Sequence, residues 1–284
     1  MAEGSPTIRQ LELGARLRKY REAKGLSVTD VAHRLLCSAT KISRAETGVR
    51  RPLLRDVRDL CEIYGLDAAT SEELMLLARG AREPGWWAEF RDLNLEPFIG
   101  IEHDATAITC FGMYFFPGLL QTEDYAREII KAIVPKIDPD ILADRVEARM
   151  LRQRLLEPPE PTRYRALLDE AVFHRQVGDS AVMKAQLDRI LDLVHEDRAT
   201  VQVIPFEIGG YAAADSNFDY LEFSDDSPLT GLVYVEGLVK NSIFDRPAEL
   251  KRYSEALDYL RDAALSPRES AKRIQEIRDG AARH

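Results

Sequence analysis

The stretch 25–52, GLSVTDVAHRLLCSATKISRAETGVRRP, limits what this chain can fold into more than any other. Its punctuation is that of two short helices and a turn. Ser27 stands where a hydroxyl caps an orphan backbone N–H, and Asp30 holds the capping-box position three residues on. Val31, Ala32 and Leu35 recur at helical spacing. Ser38 opens a second helix, ATKISRAE, with Ile42 and Ala45 as its inward face. Gly48 is suited to the left-handed conformation on which helices end. Arg50 and Arg51 follow, and Pro52 fits the first turn of a third helix.

This pattern suits a helix laid along a DNA groove. Such a helix needs small or hydrogen-bonding side chains on its first turn and cations beside the phosphates. Ala39 and Thr40 are small enough to meet a thymine methyl, and Arg44 lies four residues after Thr40 on the same face. Lys41 and Ser43 flank that face, and Arg50 and Arg51 extend it into the loop. The helix start at Ser38 adds free N–H groups and partial positive charge, as does the preceding helix start at Val28 and Thr29. A small helical domain that merely contains a turn and a few arginines is the competing explanation. Two capped helices with small first-turn residues and a basic loop weigh against it.

Residues 13–64 resemble the Xre, or phage-repressor-type, helix-turn-helix family. The resemblance implies an all-α N-terminal domain that contacts DNA at Val28, Ala39, Thr40 and Arg44. Many family members carry glutamine where this chain has Val28 and Ala39, so the operator does not carry over. The resemblance also implies a structural ion pair between Arg21 and Glu46.

Charge separates along the chain. Residues 1–82 hold 15 Lys/Arg against 11 Asp/Glu, a net of +4, and the remaining 24 against 37 give −13. A basic head on an acidic body restricts phosphate binding to the head. The three cysteines, Cys37, Cys61 and Cys110, have no metal-ligand spacing and are odd in number, which points to small buried hydrophobes in a reducing cytoplasm. No metal or cofactor is expected. The N-terminus has no apolar signal core, and the most apolar stretch, ITCFGMYFFPGLL, is broken by Pro117. A cytoplasmic, nucleoid-associated protein with no membrane contact is the expectation.

Taken in order, 1–80 is expected to be the helical head, 81–85 (AREPG) a linker, and 86–284 an α+β body. The head reads as helices at about Thr7–Lys24, the two above, one from near Pro52, and Thr70–Arg79. The body opens with an aromatic concentration that includes Trp86, Trp87, Phe90, Phe111, Tyr114 and Phe116. These residues suit a ligand or partner pocket, a subunit interface, or plain core. A strand is expected at 105–110, then a helix capped at Thr122 and a long helix over 138–156. The arginines of that long helix, Arg145, Arg149, Arg152 and Arg154, are either a second basic patch or a solvated face with local pairs. Further strands are expected at 164–168, 201–206, 218–223 and 232–236, with helices at 180–195, 245–263 and 266–277.

PGLLQTEDYAR (117–127), RMLRQRLL (149–156), LLDEAVFHRQVG (167–178), VQVIPF (201–206), SNFDYLEF (216–223) and LVYVEG (232–237) resemble a domain of unknown function appended to Xre-type regulators in actinobacteria, DUF5753. The resemblance implies a role in protein–protein or effector contact, with a small partner protein encoded nearby. Hydrolase, P-loop and dinucleotide motifs are absent, and the five histidines form no ligand pair. Glu102-His103-Asp104, taken as part of a strand, would not converge. The expected protein is therefore not an enzyme but a DNA-binding transcriptional regulator, a homodimer on a double-stranded operator. Two alternatives are a partner-binding, antitoxin-like body with an autoregulatory head, and a small-molecule sensor built on residues 86–116.

Overall fold

The computed structural model describes residues 5–90, 93, 96–224, 227, 229–238 and 241–281. The chain divides into two compact units: residues 1–88 with 96–104 and 225–229, and residues 89–95 with 105–224 and 230–284. The five residues expected as a linker thus belong to the first unit. Ala81 is buried, and Arg82 donates to the Pro52 carbonyl at 2.7 Å.

The first unit is helical. Its elements are α1 (Pro6–Ala23), α2 (Val28–Arg34), α3 (Ala39–Glu46), α4 (Leu54–Tyr64) and α5 (Ala68–Gly80). Leu13, Leu17, Val31, Ile42, Leu60 and Leu74 meet in one core. Each such side chain stabilises the fold by roughly 2 kcal/mol through the apolar surface it removes from water. Asp67 caps α5 by accepting from Thr70 N at 2.7 Å, and Gly65 ends α4 with φ +61°. Pro52 does not start α4; the helix begins two residues later, at Leu54.

A sixth helix, α6 (Glu96–Asp104), packs against α1. The sequence reading did not anticipate it, and it corrects the strand assigned to Glu102-His103-Asp104. Those residues form its last turn, with Glu102 buried and His103 exposed. Ser5 links the two helices. Its hydroxyl caps α1 and donates to the Gly100 carbonyl at 2.7 Å, while its N–H donates to Asp104 Oδ2 at 2.8 Å.

The second unit is a mixed α/β domain on a six-stranded sheet, β1 (Ala107–Gly112), β2 (Arg163–Asp169), β3 (Thr200–Ile204), β4 (Phe218–Glu222), β5 (Leu232–Val235) and β6 (Ser242–Phe244). The order is β3-β2-β1-β4-β5-β6, parallel from β1 through β3 and antiparallel from β1 through β6. The central strand β1 is buried at every residue. Helices α7 (Glu123–Ile133) and α8 (Pro139–Arg152) connect β1 to β2, and α9 (Ala171–His174) and α10 (Ser180–His195) connect β2 to β3. Such helical crossovers are what parallel neighbours require. The chain closes with α11 (Pro247–Ala263) and α12 (Pro267–Ala281). Leu250, Leu257 and Leu260 of α11 cover Phe111, Leu167, Phe218 and Val233 of the sheet. The short strand β6 also went unread in the sequence.

Edge strand β3 is closed by the α11–α12 connection and the first turn of α12. Leu265 N donates to Val203 O at 2.8 Å, and Val203 N donates to Ser270 Oγ at 2.9 Å. Three glutamines fix the turn after β1. Gln186 bonds both Leu120 O (2.7 Å) and Thr122 N (2.8 Å), and Gln153 donates to Gln121 O at 2.6 Å. Arg149 donates to Gln121 Oε1 at 2.8 Å, and Arg152 is buried. Arg152 is therefore internal and Arg149 is half-buried and bound to the turn, so these two arginines form neither a basic patch nor a solvated face.

Candidate nucleic-acid interface

The capping box at α2 is complete. Ser27 Oγ accepts from Asp30 N at 3.1 Å, and Asp30 Oδ2 accepts from Ser27 N at 2.8 Å and from Ser27 Oγ at 2.7 Å. The hydrogen bonds from the Ser27 hydroxyl, then from its N–H, hold the Asp30 carboxyl below its ordinary value. Val31 and Ala32 are buried, Val28 packs at the edge of the core, and Thr29 is exposed. The turn into α3 passes through Leu36, whose φ is +50° and whose side chain is 92% exposed.

Ser38 caps α3 by accepting from Lys41 N at 3.2 Å. Ile42, Ala45 and Glu46 face inward. Ser38, Ala39, Thr40, Ser43 and Arg44 are exposed. Thr40 and Arg44, like Ala39 and Ser43, are four residues apart and share the outer side of the helix. The Arg44 and Arg50 guanidinium groups make no ion pair or hydrogen bond among the described residues. The other two cations are engaged. Lys41 Nζ lies 2.7 Å from the buried Asp56 carboxylate, and Arg51 Nε donates to Gln10 Oε1 at 2.8 Å.

Behind this face, α3 is anchored at its C-terminal end. Arg21 Nε and Nη2 donate to the two Glu46 carboxylate oxygens at 2.7 and 2.8 Å, and Arg21 Nη1 donates to Leu26 O at 2.9 Å. Both partners are buried, Arg21 at 8% and Glu46 at 4% exposure. The bond to Glu46 raises the Arg21 pKa above its already high ordinary value. Beside the pair, burial first and the Glu46 charge second push the Tyr64 hydroxyl well up. Gly14 of α1 lies directly on the end of α3, where a Cβ would stand 2.7 Å from Ala45 O and 2.8 Å from Glu46 O. The sequence reading missed Gly14, although a glycine inside a helix is itself a signal of close backbone approach. It also missed Asp56, which no local pattern marks.

Phe111 packs against Phe218 and Tyr211, and Phe116 packs against Tyr125 and Phe173, all as core of the second unit. Trp87 is buried in the first unit with Trp86 edge-on to it. Phe90 is half-buried, and Tyr114 is 50% exposed.

No helix among the described residues is long and apolar enough to cross a membrane. Residues 12–74 match a family model described as a helix-turn-helix domain, which points to DNA binding and to a regulator rather than an enzyme. Comparison with curated proteins and with solved structures gives no match. Residues 95–276, more than half of the chain, match the domain of unknown function DUF5753, and the protein belongs to that family.

Proposed function

We propose that this protein is a sequence-specific transcriptional regulator that reads double-stranded DNA with α3. The reading rests on one observation above the rest: the first turn of α3 and Arg44 face solvent, while the opposite side of the same helix is fixed in the core. Ala39, Thr40 and Arg44 meet base edges in the major groove. Ser43, Arg50 and the helix starts at Val28, Thr29 and Ser38 meet phosphates and set the register. Arg51 can join them by leaving Gln10, whereas Lys41 orients α3 through Asp56 and adds only long-range charge. Eight residues of helix read few base pairs, so the protein acts as a homodimer on paired half-sites. The sheet domain supplies dimerisation, or contact with a small partner protein or effector. A protein of this kind works in the cytoplasm, on the nucleoid.

Selection of duplexes from a random pool by the full-length chain tests this reading. Enrichment of a two-fold motif is expected. Arg44→Ala should then weaken binding to that motif by about ten- to a hundredfold with an unchanged melting temperature. Failure to enrich any motif refutes the reading, and unchanged affinity in the variant refutes the role given to Arg44.

A further inference from the structure

The sheet domain has a concavity of about 510 Å³ that the DNA reading does not use. Three separate segments wall it: Phe115 in the turn after β1, the α7 residues Glu128, Ile129, Lys131 and Ala132, and the loop Arg175–Gly178 beyond β2 and α9. It therefore lies off the carboxyl ends of two parallel strands, where open α/β sheets ordinarily place ligands, and its volume falls within the range of small-molecule sites.

Its chemistry is specific. Ile129 and Val177 are buried and give it an apolar floor. The Arg175 side chain is exposed, with its guanidinium carbon 5.8 Å from the centroid of the Phe115 ring. Among the described residues that guanidinium makes no ion pair or hydrogen bond. Glu128 does not pair with Arg175; its carboxylate is taken by Lys131 at 2.8 Å. The Gln176 amide is tied to Gly178 O at 3.1 Å, which fixes the loop that carries Arg175. One solvent-exposed fork of donors without a protein partner among the described residues thus stands above an apolar floor beside an aromatic face. A guanidinium in that position pairs with a carboxylate in bidentate fashion, and the floor and ring take up an apolar body.

We infer that this groove binds a small organic carboxylate with an aromatic or branched apolar body, with Arg175 holding the carboxylate and Phe115 and Ile129 the body. Phe115 lies in the aromatic stretch 86–116 marked by the sequence, whose Phe111 and Phe116 are core, while Ile129 and Arg175 lie outside it.

The test uses the full-length protein with 4-phenylbutyrate and its neutral amide as probes, followed by calorimetry and saturation-transfer NMR. The carboxylate is expected to bind about tenfold or more tightly than the amide. Arg175→Gln should bring the carboxylate down to the affinity of the amide, and Arg175→Lys should restore part of the difference. Ala132→Trp, which fills the groove from an exposed position, should abolish binding of both without changing the melting temperature. Absence of carboxylate binding, equal affinity for acid and amide, or full affinity in Arg175→Gln would each overturn the inference. None of these outcomes depends on whether α3 reads DNA.

Discussion

Replacing Glu46 with alanine strands a guanidinium in the head. In the native structure Arg21 donates two hydrogen bonds to Glu46 and one to Leu26 O, with both charges almost fully removed from water. Taking away the carboxylate leaves the cation with the Leu26 carbonyl and, 3.3 Å from Nη2, the largely exposed carboxylate of Glu22, which solvent screens. Breaking one partner of a buried pair costs about 3–5 kcal/mol. A domain of this size loses roughly 4–8 °C per kcal/mol, so the head's calorimetric transition should fall by at least about 12 °C. Glu46→Gln retains an acceptor and should lose less. The double variant Arg21→Met/Glu46→Leu removes both charges at similar volume and should be more stable than Glu46→Ala alone. If Glu46→Ala costs under about 1 kcal/mol, or the double variant is the less stable, the pair does not hold α3 by buried charge.

Three further outcomes follow from the head. Gly14→Val drives a side chain into the Ala45 and Glu46 carbonyls, so it should destabilise by about 1–3 kcal/mol and weaken DNA binding in proportion to the displacement of α3, measured by melting and by duplex titration. The Asp30 carboxyl is held below its ordinary value when folded, so its contribution is complete above about pH 4 and is lost as pH falls through the depressed value; the melting difference between the native chain and Asp30→Asn should therefore be largest near neutrality and shrink in acid. Leu36→Gly relieves a left-handed conformation at an exposed position, and chemical denaturation should show a gain of about 1 kcal/mol.

Much of the head was legible because its signals are local. Ser27 with Asp30, Ser38 and Gly48 mark helix ends through bonds that span three or four residues, and the structure forms those bonds at those positions. The strands β3 to β5 were legible from runs of β-branched and aromatic residues. What escaped depends on distant partners. The helix α6 contains Gly100, a poor helix former, at its middle and is held by α1 through Ser5. The residues of β6, Ser242–Phe244, become a strand only by pairing with β5. Lys41 reads as a free cation in a basic segment because Asp56, which engages it, lies fifteen positions away. The aromatic cluster left pocket, interface and core open for a similar reason: Phe111 and Phe116 are close in the chain, and only their distant partners show that each fills a different part of the interior.

The tie from the α11–α12 connection to Val203 bears on how two molecules can join. With the outward amide and carbonyl of that residue already satisfied, the β3 margin is blunted against strand addition. A continuous sheet shared between copies would have to grow from the opposite rim, where Ser242–Phe244 offers three residues of backbone. So short a rim would make a ribbon-type union shallow and would leave helix faces to the dimer proposed above.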